Sequence, residues 1–157
     1  MTGAVIGFGN PLRGDDGIVL SLFECLQQRQ LPEDVEMIDL GAPGFRLLHV
    51  LEDVERAVIV DAVRFGGDPG DAVVFTTDEA RSLQSVRTTH GADVFELLEL
   101  SERLEEQPDS VLVFGIEPAD TSVGTDVSPR IKERIPDLAD ELHEVVQELS
   151  ETSDERR

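Results

Sequence analysis

Apolar and polar positions fall into blocks that alternate between two periods. Ala4 to Phe8 is a short apolar run followed by Gly9, the pattern of a buried strand. From Asp15 to Gln30 the apolar residues Val19, Leu22, Phe23 and Leu26 recur at helical spacing. Val35 to Leu40 reads as a second strand, and Phe45 to Leu51 as a short helix after the turn Gly41-Ala42-Pro43-Gly44. Ala57 to Val60 is apolar throughout, as strands covered on both faces are. Gly66 to Gly70 is a loop, and Ala72 to Phe75 a further strand, placed at an edge. Thr89 is the expected N-cap of a helix reaching about Glu106, with Val94, Leu97, Leu98 and Leu104 as its apolar positions. Val111 to Ile116 is another continuous strand. Ser128 and Pro129 supply an N-cap and a first-turn proline for a last helix striped by Ile131, Ile135, Leu138, Leu142, Val145 and Leu149. Pro136 is expected to kink it.

Alternating strand and helix patterns predict an α/β fold of three layers, with a mostly parallel sheet between helices. At 157 residues the chain is expected to be one domain, 1–150, with a polar tail at 151–157. Reactive sites in such sheets lie beyond the carboxyl ends of the strands. Asp15 and Asp16 follow the first strand, Asp39 closes the second and Asp61 the third.

Composition changes this picture in one respect. There are 34 acidic residues against 13 basic ones, a formal net charge of −21. Nucleic acid and anionic membrane are poor partners for such a surface. Lys132 is the lone lysine. An acidic, lysine-poor surface on an ordinary core fits a halophilic, salt-rich cytosol, where cations screen the self-repulsion. Cys25 is the lone cysteine, which excludes an internal disulfide and points to a reducing, cytoplasmic setting. No apolar run reaches the length of a membrane span, and nothing near Met1 reads as a secretion signal.

The chemistry concentrates in "GFGNPLRGDDG", Gly7 to Gly17. A dinucleotide loop needs glycine where Leu12 stands, and no Gly-Lys-Ser/Thr follows. A phosphate there would also meet two aspartates; unit charges about 4 Å apart repel by roughly 4 kcal/mol at an effective dielectric near 20. That matches or exceeds the attraction of a helix start, so the turn is expected to receive a cation. One aspartate is explained as a helix cap; the second, and the acids closing the next two strands, are not. Carboxylates alone suit magnesium or calcium, and an added imidazole shifts the choice to nickel, zinc or another transition metal. His143 and His49 read as helix-surface residues. His90, in "TTHGAD" at a predicted helix start, is favoured as a neutral imidazole by the positive end of the dipole. Cys25 reads as a small core residue, and neither G-x-S-x-G nor H-E-x-x-H occurs.

The turn resembles the G-x-G-N-x-L-x-x-D-[DE] signature of the hydrogenase maturation endopeptidases, which process the large subunit of nickel-iron hydrogenases. "MIDLGAPG", "VIVDAV", "TTHGAD" and "VFGIEP" resemble further segments of that family, in the same order, over roughly Ala4 to Leu149. The resemblance implies a twisted five-stranded sheet between helices and a reaction that cuts a C-terminal extension from the nickel-loaded precursor. It implies Asp16, Asp61 and His90 as metal-contacting residues, with Asp39 joining Asp16 and Asp61 among the acids that serve the reaction. Nickel would be supplied by the substrate, zinc or cadmium standing in for it. The partner implied is the large-subunit precursor, and the chain is expected to act as a monomer. A non-catalytic metal- or precursor-binding module on the same fold is the alternative. Whichever carboxylate stays unligated, Asp15 or Asp39, is the expected general base.

The charge balance yields a measurable outcome. Raising KCl from about 0.1 M to about 3 M should raise the melting temperature, because repulsion among surface carboxylates is screened over a shrinking Debye length. A melting temperature independent of salt would contradict the halophilic assignment.

Overall fold

A computed structural model describes residues 3–42, 44–82, 87–88, 93–105 and 107–155. The chain begins with β1 (Gly3–Phe8), buried along its whole length. A 3-10 turn, Gly14–Gly17, leads into α1 (Ile18–Gln27). There follow β2 (Val35–Gly41), α2 (Arg46–Asp53), β3 (Arg56–Arg64), β4 (Ala72–Thr76), α3 (Thr77–Ser82), β5 (Arg87–Thr88) and α4 (Asp93–Arg103). The chain closes with β6 (Ser110–Ile116), α5 (Pro129–Lys132) and α6 (Ile135–Glu155).

Five strands form one sheet in the order β2-β1-β3-β6-β4. All neighbours are parallel except the edge pair β4–β6. The short β5 adds an antiparallel pair to the end of β3. This is the expected three-layer α/β fold, with the predicted edge strand at the edge. One face of the sheet carries α1, α5 and α6 over Val5, Val58, Val60, Phe114 and Ile116. The other carries α2 and α4 over Ile6, Phe8, Ile59, Val63 and Val113. Burying each Leu, Ile or Phe of these layers contributes roughly 1.5–3 kcal/mol, which offsets the repulsion of the acidic surface.

The two helix layers fix the site. From β1 the chain crosses one face through α1 to β2, then the other face through α2 to β3. The direction of winding therefore reverses between β1 and β3, and a crevice opens at their carboxyl ends.

Local differences from the pattern have physical causes. Asp15 and Asp16 lie in the 3-10 turn rather than in α1, because their side chains are engaged elsewhere. Ser128 makes no capping bond; its hydroxyl donates to Asp15 instead. Pro136 does not kink a continuous helix. The chain turns between α5 and α6, and Pro136 occupies the second position of α6, where no helical N–H is required. Leu104 lies past the end of α4 and is exposed. The last helix runs on to Glu155, through most of the stretch expected as a tail. α3 and β5 went unpredicted because "TTDEARS" has no apolar period and two residues carry no strand signal. The predicted cap Thr89 lies outside the described residues.

Gly14 has a φ of +54°, and a Cβ there would stand 2.4 Å from the Asp120 carbonyl oxygen. Left-handed geometry costs a non-glycine residue roughly 1–2 kcal/mol before any clash. Gly14→Ala should therefore lower the unfolding free energy by more than about 2 kcal/mol in urea titrations, whereas Gly44→Ala, with open space around it, should change it by less than about 0.5 kcal/mol.

Candidate functional site

The turn after β1 is built by its own polar atoms. Asn10 accepts the Leu12 N–H on its side-chain oxygen at 2.9 Å, and the Arg13 N–H on its carbonyl at 3.0 Å. Asp16 returns its N–H to the Arg13 carbonyl at 3.1 Å, and its Oδ2 accepts the Asn10 N–H at 2.8 Å. Gly9 permits this closure, since a Cβ there would lie 2.7 Å from the Asp16 carbonyl oxygen. Asp16 is thereby buried at the mouth of the crevice.

Asp15 points the other way. It is fully buried, and Oδ2 accepts the N–H groups of Ala119 and Asp120 at 2.7 and 2.8 Å and the Ser128 hydroxyl at 2.9 Å. Oδ1 accepts the Ser128 N–H at 2.6 Å. Four donors from the segment after β6 thus surround this carboxylate, three on Oδ2 and one on Oδ1. Asp15 therefore does not cap α1; it is the clamp that draws the 119–128 loop over the turn. Within that loop the Asp120 carboxyl is held below the ordinary carboxylate range, chiefly by the Ser122 hydroxyl and then by the Ser122 N–H. It stays ionised at neutral pH on the rim.

Asp61 is fully buried on β3. It is in register with Gly115 of β6 and one residue beyond the last pair that β3 makes with β1, Gly7 with Val60. Asp16 thus stands on the turn that follows β1, and Asp61 on β3, the strand beside β1. Asp39 pairs with Gly7 on the other side of β1. It is exposed, and its Oδ1 accepts the Gly41 N–H at 2.9 Å. His90 lies outside the described residues. The strand leading to it is described: Arg87 pairs with Arg64 and Thr88 with Val63, antiparallel. β5 therefore runs back along β3 in the direction of Asp61, which precedes Val63 by two residues. His49 is exposed beside Glu52, and His143 lies 3.0 Å from the Gln30 carbonyl on α6, so both are surface residues, as read from the sequence.

Among the described residues no three His, Cys, Asp or Glu side chains form a metal-binding group. Asp16 and Asp61 are buried carboxylates, donors of the kind a divalent cation takes. One group escaped the sequence reading. Glu117, buried just past β6, accepts the Gly66 N–H on Oε1 at 2.9 Å, while its Oε2 is buried and accepts no hydrogen bond. Its backbone pairs with Asp71 and Gly70, so it secures the loop after β3. A glutamate closing the apolar run "VFGI" was the available signal.

The hydrogenase maturation protease family model matches residues 20–145. The chain is 33% identical to the coenzyme F420 hydrogenase subunit delta of Methanothermobacter thermautotrophicus, over 84% of this chain and 86% of that one. It is 28% identical to a putative hydrogenase maturation protease of Methanocaldococcus jannaschii, covering 90% and 92% of the two. The hydrogenase maturating endopeptidase HybD of Escherichia coli superposes with a TM-score of 0.81, at 24% identity, over 94% of this chain and 93% of that one.

Replacing Asp15 strands three N–H groups and a hydroxyl. Hydrogen bonds to a charged group contribute roughly 1.5–3 kcal/mol each, so Asp15→Ala should lower the unfolding free energy by more than about 3 kcal/mol in urea titrations. The exposed Asp39→Ala should cost less than about 1 kcal/mol.

Proposed function

Because the chain belongs to the hydrogenase maturation protease family, we propose that it removes a C-terminal extension from the nickel-loaded precursor of a nickel-iron hydrogenase large subunit. The observation that carries this reading is the pair of buried carboxylates, Asp16 on the turn after β1 and Asp61 on the neighbouring strand β3. Asp16, Asp61 and His90 would contact the nickel that arrives with the substrate. Two carboxylates and an imidazole suit a divalent transition metal and leave coordination positions open. When bound, such an ion polarises a carbonyl oxygen and makes nearby water more acidic.

The chain's own residues do the rest. Asn10 holds Asp16 in place, and β3 presents Asp61 from a rigid strand, so neither ligand must be ordered when the precursor docks. Asp39 stands at the exposed lip with one oxygen held by the Gly41 N–H; its other oxygen takes the proton released as water attacks the peptide bond. Among the described residues the large exposed apolar side chains are few, with Leu12 and Val123 on adjoining loops and Phe45, Val74 and Leu104 on other elements, which fits a monomer between encounters with its partner.

Mass spectrometry of the nickel-loaded precursor incubated with the protein should show loss of a C-terminal peptide. Asp16→Asn, Asp61→Asn and His90→Gln should each reduce the rate by at least about 1,000-fold while circular dichroism stays unchanged. Wild-type rates in all three would overturn the assignment. Binding of the precursor without any mass change would favour the non-catalytic module.

A further inference from the structure

In a chain with 34 acidic residues and 13 basic ones, a guanidinium drawn in from solvent without a carboxylate beside it is out of keeping with its surroundings. Arg29, Arg56 and Arg134 each lie beside an acid, and Arg46, Arg64, Arg103 and Arg130 are exposed to water. Arg13 is half-buried on the turn after β1, two residues before Asp15. Its Nε is shut off from solvent with no acceptor, and among the described residues no hydrogen bond or ion pair engages its side chain. The neighbouring Asp15 is not available to it, because four donors from 119–128 already surround that carboxylate. Leaving a buried donor unsatisfied costs roughly 1–3 kcal/mol. Nothing in the folding of the turn requires it, since the turn closes through the Arg13 backbone and not through its side chain.

The surroundings describe what would satisfy it. Leu12 is 69% exposed and Val123 is 78% exposed. The loops that carry them are sewn together by the Gly124 N–H donating to the Leu12 carbonyl at 2.7 Å. An unsatisfied planar donor therefore sits in a rim of two exposed apolar side chains, on the turn that also carries Asp16. We infer that Arg13 is a substrate-anchoring residue: its guanidinium takes an oxygen acceptor of the precursor polypeptide entering the crevice, and Leu12 and Val123 cover an apolar part of the same segment. This rests on the proposed processing reaction. A guanidinium offers five donors in a fixed fork and keeps its charge at any working pH. The strongly negative surface repels anions at long range, so a neutral peptide carbonyl reaches Arg13 more readily than a carboxylate does.

Arg13→Met keeps the length of the side chain and removes every donor; Arg13→Lys restores the charge without the fork. With the nickel-loaded precursor, Arg13→Met should lose about 10- to 100-fold in kcat/KM, with Arg13→Lys recovering part of the loss. In an Asp39→Asn background, which lacks the proton acceptor but keeps the nickel contacts, fluorescence anisotropy of labelled precursor should show about tenfold weaker binding when Arg13→Met is added. A deficit unchanged between low and high KCl identifies a carbonyl as the acceptor, and a deficit that shrinks with salt identifies a carboxylate. Arg13→Met that cuts with wild-type kcat and KM, or binds as tightly as its parent, overturns the anchoring role while leaving the processing reaction standing. A wild-type protein that neither cuts nor binds the precursor overturns the processing reaction, and the anchoring role with it.

Discussion

Asp15 lies buried under the turn after β1, and each of its oxygens is held by donors from a segment more than a hundred residues away in sequence. A carboxylate removed from water is tolerable only when its oxygens are satisfied. The loop from Ala119 to Ser128 must therefore wrap the turn before the turn can close. Once it does, Gly14 has to run beneath the Asp120 carbonyl with positive φ, and Asp16 is left facing the opposite way, accepting from Asn10. The position of one candidate ligand is thus a consequence of its neighbour's burial.

The other candidate ligand, Asp61, is positioned by sheet topology. The chain reverses its winding between β1 and β3, so the helices that follow β1 and β2 lie on opposite faces and leave the ends of β1 and β3 uncovered by either. Asp61 stands where β3 has passed its last pair with β1 and has not yet reached its pair with β5. A buried carboxylate where pairing on one side of a strand is interrupted is costly to a fold, and such groups are often kept for a site rather than for stability.

The acids of this protein accordingly divide by environment. Asp15 stabilises, Asp16 and Asp61 face the crevice, Glu117 secures the loop beyond β3, and most of the others carry the surface charge. Against that background one rim differs: a half-buried guanidinium without a counter-charge among the described residues and two exposed apolar side chains gather there.

Much of this was legible in the order of residues. Continuous apolar runs marked β1, β3 and β6, the 3.6-residue stripes marked α1 and α6, and the strand-closing aspartates pointed to the carboxyl edge, because periodicity and burial are local properties of the chain. The roles of Asp15 and Asp16 were not legible. Adjacent carboxylates look alike in a sequence, and only the return of the 119–128 loop makes one a clamp and the other a site residue. Ser128 and Pro136 were misjudged for the same reason: their local signals were overridden by a distant acceptor and by a turn between two helices. Composition and spacing decided the fold class and the candidate acids. Tertiary structure decided which of them share a crevice, because hydrogen-bond partners a hundred residues apart are chosen by packing and by the demand that every buried charge be satisfied.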